Sequence, residues 1–357
     1  MDARRQGWYN SGMKFLSRCA ISLAAAALPL VSSASDMPGV SPGPGTRYAT
    51  DAFPGFDAEG PAFSPEKKEP RWFAFINGPK CGTPEEQLAW GAECEASGRL
   101  WRARRAYDAL VREWPASPEA PRAQRALADL LLNRELDYEE AFAEYRYLLD
   151  FYSLECDASE VADLMYKVVE MMREEGKTIV FFRFANTVDV RRAYESLVAR
   201  APGASFAPQA LLTIASLRED EEKFNEAVAV YENLRSRYGE TPEADIALHR
   251  EGRVRMRLLK DHGYNRARVS DTVSFLRQAL RGRMADAARA DFEGWLAEAE
   301  RIQEDEAYAA ARFYDARTRT KRSAVSAYER FLKDYPASSR ADEVRARIEA
   351  LKGGDAR

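Results

Sequence analysis

The sequence predicts an all-α protein in which similar helix pairs stack one on the next. Three observations carry that expectation. Ala, Tyr and Leu recur along the chain at helical spacing. An aromatic residue and a proline punctuate each copy. The composition supplies core and surface but few groups for chemistry. The 357 residues are 46% hydrophobic, which excludes wholesale disorder, and 31% charged, above the usual quarter or so. Only one short stretch, near the N-terminus, approaches membrane-spanning hydropathy, so a polytopic membrane protein is excluded.

That stretch comes first in order. From Met13 the chain reads MKFLSRCAISLAAAALPLVSSASD. Lys14 and Arg18 give a basic start, the apolar run extends from Ala20 to Val31, and Ser32 and Ala34 occupy the −3 and −1 positions of a cut after Ala34. This is the layout of an export signal, residues 1–34, with Met13 as an alternative start. The run is too short for a spanning helix, which needs about 20 residues. Cys19 precedes the run and the next cysteine is Cys81, so a lipidated first residue is not expected. The expectation is an exported protein without a lipid anchor.

Residues 35–71 are rich in proline, glycine and acid and read as an extended tether, because such a composition buries too little surface to offset its ordering entropy. Trp72, Phe73, Phe75 and Ile76 then begin the folded part, which runs over 72–352 and leaves 353–357 as a tail. Cys81, Cys94 and Cys156 follow the signal. Two readings stay open: a Cys81–Cys94 bridge in an oxidising compartment, or three unlinked thiols.

From about residue 84 one template recurs, Ala-x3-Tyr-x2-Leu-x3-aromatic-Pro-x-Ser-x2-Ala-x2-Ala. The first copy is Ala103, Tyr107, Leu110, Trp114, Pro115, Ser117, Ala120 and Ala123. The second keeps Ala141, Tyr145, Leu148 and Tyr152. The third keeps Tyr194, Leu197, Pro202, Ala204, Ala207 and Ala210. The fourth has Ala227, Tyr231, Leu234, Tyr238, Thr241, Ala244 and Ala247. The last has Ala324, Tyr328, Phe331, Tyr335, Pro336, Ser338 and Ala341, and a weaker copy centres on Phe275 with Ala285 and Ala288. Residues at i, i+4 and i+7 share a helix face, proline stops the helix, Ser or Thr caps the next, and small alanines let helices approach. A pair of this kind cannot bury its apolar face alone and stacks on its neighbours. The tyrosines are 38 residues apart from 107 to 145 and 37 from 194 to 231. That is near the 34-residue tetratricopeptide period, so about five or six tetratricopeptide-like helix pairs are expected to stack in a right-handed superhelix.

Two spacings depart. Tyr145 to Tyr194 is 49 residues, and the excess contains the apolar run 177–184 with Phe181, Phe182 and Phe184. It reads either as an exposed hook for a partner or a membrane surface, the latter admitting peripheral membrane association, or as a segment that packs on the array or extends a helix. Phe275 to Tyr328 is 53 residues, and Ala285–Tyr314 has no proline and one glycine, so one helix of roughly 45 Å is expected there.

Catalysis finds little material. His249 and His262 are the only histidines, 13 residues apart without nearby cysteines, so neither a histidine-based triad nor a metal site is expected, and no cofactor is implied. Gly176-Lys177-Thr178 matches the end of a phosphate-binding loop, but Met171 stands where the first glycine belongs and no strand precedes it. The acids, such as Glu139, Glu140 and Glu219–Glu222, read as solvated faces with i,i+4 pairs. Charge is unevenly spread. Residues 1–34 hold four basic and one acidic residue, residues 250–357 hold 24 basic and 18 acidic, and 35–249 therefore carry −13 of the total of −4. The basic stretch 250–289, with Arg253, Arg255 and Arg257, is expected to meet an acidic protein partner rather than nucleic acid, since the chain is exported.

The C-terminal segment Tyr308-Ala-Ala-Ala-Arg-Phe313-Tyr314, followed by Ala324, Tyr328, Phe331, Tyr335, Pro336 and Ser338, resembles the BamD family, the helical component of the outer-membrane β-barrel assembly machinery. The resemblance covers about 84–351. It implies a non-enzymatic scaffold of the periplasm, at the inner face of the outer membrane, whose N-terminal repeats offer a groove to unfolded outer-membrane proteins and whose C-terminal repeats hold the barrel-forming subunit. The alternative within the same fold is a soluble envelope-coordination protein of the YbgF type, which shares the Tyr-Pro-x-Ser repeats and meets Tol-Pal or peptidoglycan-associated partners. A generic peptide- or glycan-associated adaptor and a lytic envelope enzyme are the readings from other classes.

Overall fold

The computed structural model describes residues 78–178, 183–261, 266–317 and 321–353, with side chains throughout except at 176–188 and 261. The signal, the tether, the aromatic run 72–76, Phe181, Phe182 and His262 lie outside the described residues, as does the side chain of Phe184.

Thirteen helices and no strand form among the described residues. They fall into six pairs with a closing helix. The pairs are α1 (Pro84–Ala96) with α2 (Leu100–Glu113), α3 (Ala120–Leu130) with α4 (Tyr138–Phe151), and α5 (Ala158–Thr178) with α6 (Arg183–Arg200). Then come α7 (Ala207–Asp220) with α8 (Phe224–Arg237), α9 (Pro242–Asp261) with α10 (Arg266–Arg281), and α11 (Asp286–Asp315) with α12 (Lys321–Asp334). The closing helix is α13 (Ala341–Gly353). Each helix packs on the next in sequence, and α9 also lies against α7 and α11. The fold is all-α and built of tetratricopeptide-like helix pairs.

The template residues form the interior. Ala103, Tyr107 and Leu110 on α2, Ala141, Tyr145 and Leu148 on α4, Tyr194 and Leu197 on α6, Ala227, Tyr231 and Leu234 on α8, and Ala324, Tyr328 and Phe331 on α12 are all buried. The aromatic at i+11 marks the helix end. The N–H groups of Trp114, Tyr152, Tyr238 and Tyr335 donate to the carbonyl four residues back at 2.8 or 2.9 Å. Two steps of three residues then lead into the next helix: Ser117 N–H to Trp114 O and Ala120 N–H to Ser117 O, each 3.0 Å, with the same pattern at Thr241 and Ala244 and at Ser338 and Ala341. Trp114 and Tyr335 are half-buried against the core.

The expected Ser/Thr capping is corrected at all three of these turns. Ser117 Oγ has no hydrogen-bond partner among the described residues, Thr241 Oγ1 donates back to Tyr238 O at 2.9 Å, and Ser338 Oγ accepts the N–H of Arg340, which precedes the helix, at 3.0 Å. Backbone turns satisfy the chain, so the hydroxyl is free for other uses. The proline of the template has a second role beyond stopping the helix. Tyr152 donates to Pro115 O at 2.8 Å and Tyr238 to Pro202 O at 2.5 Å, so the aromatic ending one pair bonds the turn of the pair before it.

The turn inside a pair also recurs. Gly98 (φ 74°) and Glu222 (φ 59°) are left-handed, and the residue after each donates back to a carbonyl five residues earlier, Arg99 N–H to Cys94 O at 2.8 Å and Lys223 N–H to Arg218 O at 2.9 Å. This is the Schellman helix ending, which glycine adopts without strain and glutamate does not. At the end of α3 a π turn, Leu131–Glu135, and the left-handed Leu136 do the same job with one more residue.

The irregular regions bring one correction. The weak copy is shifted by one residue: Thr272, Leu276 and Ala279 occupy the buried i, i+4, i+7 positions of α10, and Phe275 lies half-buried beside them. The long insert lengthens two helices, α5 to 21 residues and α6 to 18, so Gly176-Lys177-Thr178 ends a helix rather than forming a loop. The helix expected over Ala285–Tyr314 is found as Asp286–Asp315. Cys81, Cys94 and Cys156 are free thiols, and burial pushes the Cys156 thiol up. No helix of the described residues is long and apolar enough to cross a membrane.

Candidate functional site

The acids do not behave as a uniformly solvated face. In five of the six pairs the tyrosine hydroxyl of the second helix donates to a carboxylate on the first. Tyr107 bonds Glu95 at 2.9 Å, Tyr194 bonds Glu170 at 2.5 Å, Tyr328 bonds Asp315 at 3.0 Å, and Tyr145 and Tyr231 bond Asp129 and Glu219. Burial first, then the adjacent carboxylate, pushes all five phenols up, Tyr328 to about 12 and the others further. A phenol in this position anchors a pair. It does not act as a proton donor near neutral pH.

Between pairs, ionic bonds add to the Tyr-to-Pro bonds. Asp150 on α4 takes both Nε and Nη2 of Arg200 on α6, at 2.7 and 2.9 Å, with both side chains buried. Glu195, fully buried, accepts from Arg191 at 2.7 Å and from Arg218 at 3.0 Å, and those arginines reach on to Glu221 at 2.8 Å and Glu226 at 2.5 Å. Glu251, also fully buried, is held by Arg235 at 2.8 Å and Arg255 at 2.7 Å. Glu219 and Glu221, expected on a solvated face, therefore sit at helix contacts.

The basic stretch is placed within this network. Arg253 pairs with Glu219 at 3.0 Å and is exposed. Arg255 is mostly buried, bonds Glu251 and Glu232, and lies 4.7 Å from the Phe275 ring centre. Arg257 lies 4.3 Å over Phe224. His249 on α9 meets Asp291 on α11 at 2.9 Å and packs on Trp295 at 5.2 Å. Gly252, one turn along, lets α9 and α11 close: a Cβ there would stand 2.8 Å from the Trp295 ring. Among the described residues no group of three or more His, Cys, Asp or Glu is arranged to hold a metal ion.

One cavity differs from this pattern, and the sequence reading did not find it. It lies where the described chain begins, against α1 and α2, holds about 300 Å³, and is lined by Gly78, Lys80, Gln87, Trp90, Trp101, Arg102, Arg105 and Ala106. Gln87 builds it. Buried on α1, Gln87 accepts from the Lys80 and Cys81 N–H groups at 2.9 and 3.0 Å and donates to Ala106 O at 3.0 Å, which ties the incoming segment to α2. Thr83 caps α1 by accepting the Glu86 N–H, with Pro84 in the first turn. Lys80 Nζ lies 5.0 Å from the Trp90 ring centre and Arg105 lies 4.6 Å from that of Trp101, which is 62% exposed. In the sequence the only signal is Leu100-Trp-Arg-Ala-Arg-Arg, and it does not say that Arg104 turns away, to Glu135 at 2.9 Å and to Glu140.

No family model matches the chain, and no curated protein matches it. Among solved structures, a tetratricopeptide repeat protein from Parabacteroides merdae is similar, with 13% sequence identity over 75% of this chain and 98% of that one and a TM-score of 0.26.

Proposed function

We propose that the protein is a non-enzymatic adaptor that binds protein partners through its helical repeats, and that its place is in β-barrel assembly at the periplasmic face of an outer membrane. The observation that carries the adaptor reading is the array itself. Five of the six pairs are latched internally by a tyrosine hydroxyl and successive pairs are tied by buried ion pairs, which joins the helices into one continuous array. Repeat arrays use their surfaces to hold other chains. The export-type residues 1–34 and the likeness of 308–338 to the BamD family support the finer placement.

Affinity capture of the tagged mature protein from crosslinked envelopes tests it. A barrel-forming subunit as the dominant captured protein, with barrel proteins falling after depletion, is the expected result. Tol-Pal or peptidoglycan-associated proteins in its place, with barrel proteins at normal levels, would move the assignment to envelope coordination. Capture of no envelope protein would end the adaptor reading.

A further inference from the structure

We propose that the cavity of α1 and α2 is a docking site for a short acidic stretch of a protein partner, in which Asp or Glu side chains alternate with apolar ones. This rests on the adaptor reading and adds the chemistry of what is bound.

Charge is the first argument. Among the described residues the cavity is lined by three cations, Lys80, Arg102 and Arg105, and by no acid. It does so within residues 35–249, which carry a net −13, so the positive lining is not part of a generally basic surface.

Pairing is the second. The neighbouring arginines of the same helix pair have carboxylates: Arg99 bonds Glu93 at 3.3 Å, Arg104 bonds Glu135 and Glu140, and Arg112 bonds Asp108. Arg102 and Arg105 have none among the described residues, and the buried Nε of Arg105 has no acceptor. A buried N–H without an acceptor costs about 1–3 kcal/mol, and a carboxylate oxygen removes that cost with a charge-assisted bond.

Shape is the third. The guanidinium of Arg105 and the ammonium of Lys80 already lie over Trp101 and Trp90, so both cations are held in place before binding. The exposed part of Trp101 then offers an apolar floor beside them. At about 300 Å³ the space takes one or two side chains, which suits an extended stretch rather than a folded surface.

The test uses the full mature chain and a capped peptide, acetyl-Asp-Phe-Asp-Leu-Glu-amide, which has no terminal carboxylate, followed by tryptophan emission and calorimetry. Comparison probes are its Asn/Gln counterpart, inorganic phosphate, and phosphatidylglycerol vesicles. Expected are saturable binding of the acidic peptide that weakens with salt, at least tenfold weaker binding of the neutral peptide, and a similar loss in R102Q and in R105Q. Arg102 is exposed, so R102Q keeps the test sound if R105Q disturbs Trp101. R345Q, on α13, is expected to bind as the parent does. Equal binding of both peptides, or unchanged binding in R102Q, overturns the proposal. So does binding of phosphate or vesicles with none of the peptide. If R102Q and R105Q still capture envelope partners at the parent level, this site falls while the adaptor reading stands. If the peptide binds but no envelope protein is captured, the reverse holds.

Discussion

The first four pairs and the last part of the chain use the same tyrosine template but build different interiors. From Cys94 to Leu258 a single hydrophobic cluster runs without a break through α1 to α9. Beyond it the core divides: one cluster joins α9, α10 and the first half of α11, from Met256 to Ala299, and another joins the end of α11 to α12 and α13, from Ala311 to Leu351. The two share only α11, whose middle is polar. There Glu304 meets Ser338 at 2.5 Å and Asp305 meets Arg340 at 2.6 Å, while both oxygens of Glu306 are buried with no hydrogen-bond partner among the described residues. The difference teaches that the template secures each pair, while coupling between pairs depends on what fills the space between them. Buried ion pairs and Tyr-to-Pro bonds fill it early in the chain, and a single long helix bridges it late.

The largest effect is expected in the early part. Glu195→Ala leaves Arg191 and Arg218, each 1% exposed, without their shared buried acceptor. Breaking a buried pair this way costs about 3–5 kcal/mol. Urea unfolding followed by circular dichroism should show it as a loss of the α6–α8 region. A change below about 1 kcal/mol would mean the network is solvated and the two regions are not so different. At the junction, Gly252→Ala drives a Cβ against the Trp295 and Phe292 rings, and overpacking of this kind costs about 1–3 kcal/mol. Hydrogen exchange should then loosen α11 and α12 ahead of α1–α8.

The tyrosine latch sharpens the comparison because it occurs in both regions. Tyr194→Phe and Tyr328→Phe each remove one bond to a carboxylate, worth about 1.5–3 kcal/mol when buried and less when wet. Tyr194 is fully buried, whereas Asp315, the acceptor of Tyr328, also bonds the half-exposed Arg347, so the first change should cost more. The same groups set an alkaline limit. A phenol whose folded pKa is raised contributes stability that is complete below its unfolded value of about 10 and is lost as pH rises through the folded value. Tyr328 reaches that value near 12 and the early four lie higher. Among the five latch phenols Tyr328 should therefore ionise first, read as the difference in phenolate absorbance between the parent and Tyr328→Phe, and each Tyr→Phe change should flatten the fall of stability above pH 10.

Much of this was legible in the residues and some was not, for physical reasons. Tyr107, Tyr145, Tyr194, Tyr231 and Tyr328 were legible because a helix face has a fixed period. Their acceptors were not, since Glu95 and Glu219 lie 12 residues before the tyrosine but Asp129 lies 16 and Glu170 lies 24, following helix length. Glu195 and Glu251 look in sequence like any acid at i,i+4 to an arginine, because burial comes from the neighbouring helix. The α10 register was missed because Phe275 is the larger apolar residue, while Leu276 is the one at the buried spacing. The α1–α2 cavity was hidden because Arg102, Arg104 and Arg105 are alike in type and differ only in the direction they face. Glu222 offers a modest check on the turn itself: Glu222→Gly relieves a φ of 59° and should stabilise by about 0.5–1 kcal/mol, read as a higher midpoint in urea.

The smallest expected effect bears on the basic stretch. Reversing Arg253, Arg255 and Arg257 together would not isolate a partner surface, because Arg255 holds Glu251 and stacks on Phe275 while Arg257 stacks on Phe224. Arg253 is different. Its pair with Glu219 is exposed on the arginine side, and a surface pair of this kind is worth about 0.2–1 kcal/mol. Arg253→Gln should therefore leave the midpoint of unfolding nearly unchanged. It should still weaken capture of an acidic partner, and the weakening should be larger at low salt, because an exposed charge acts over a Debye length of about 10 Å at 0.1 M. If capture is unchanged at low salt, the arginines of α9 serve the array alone, and partner contact belongs to the early pairs, where Arg102 and Arg105 of α2 lack carboxylates among the described residues.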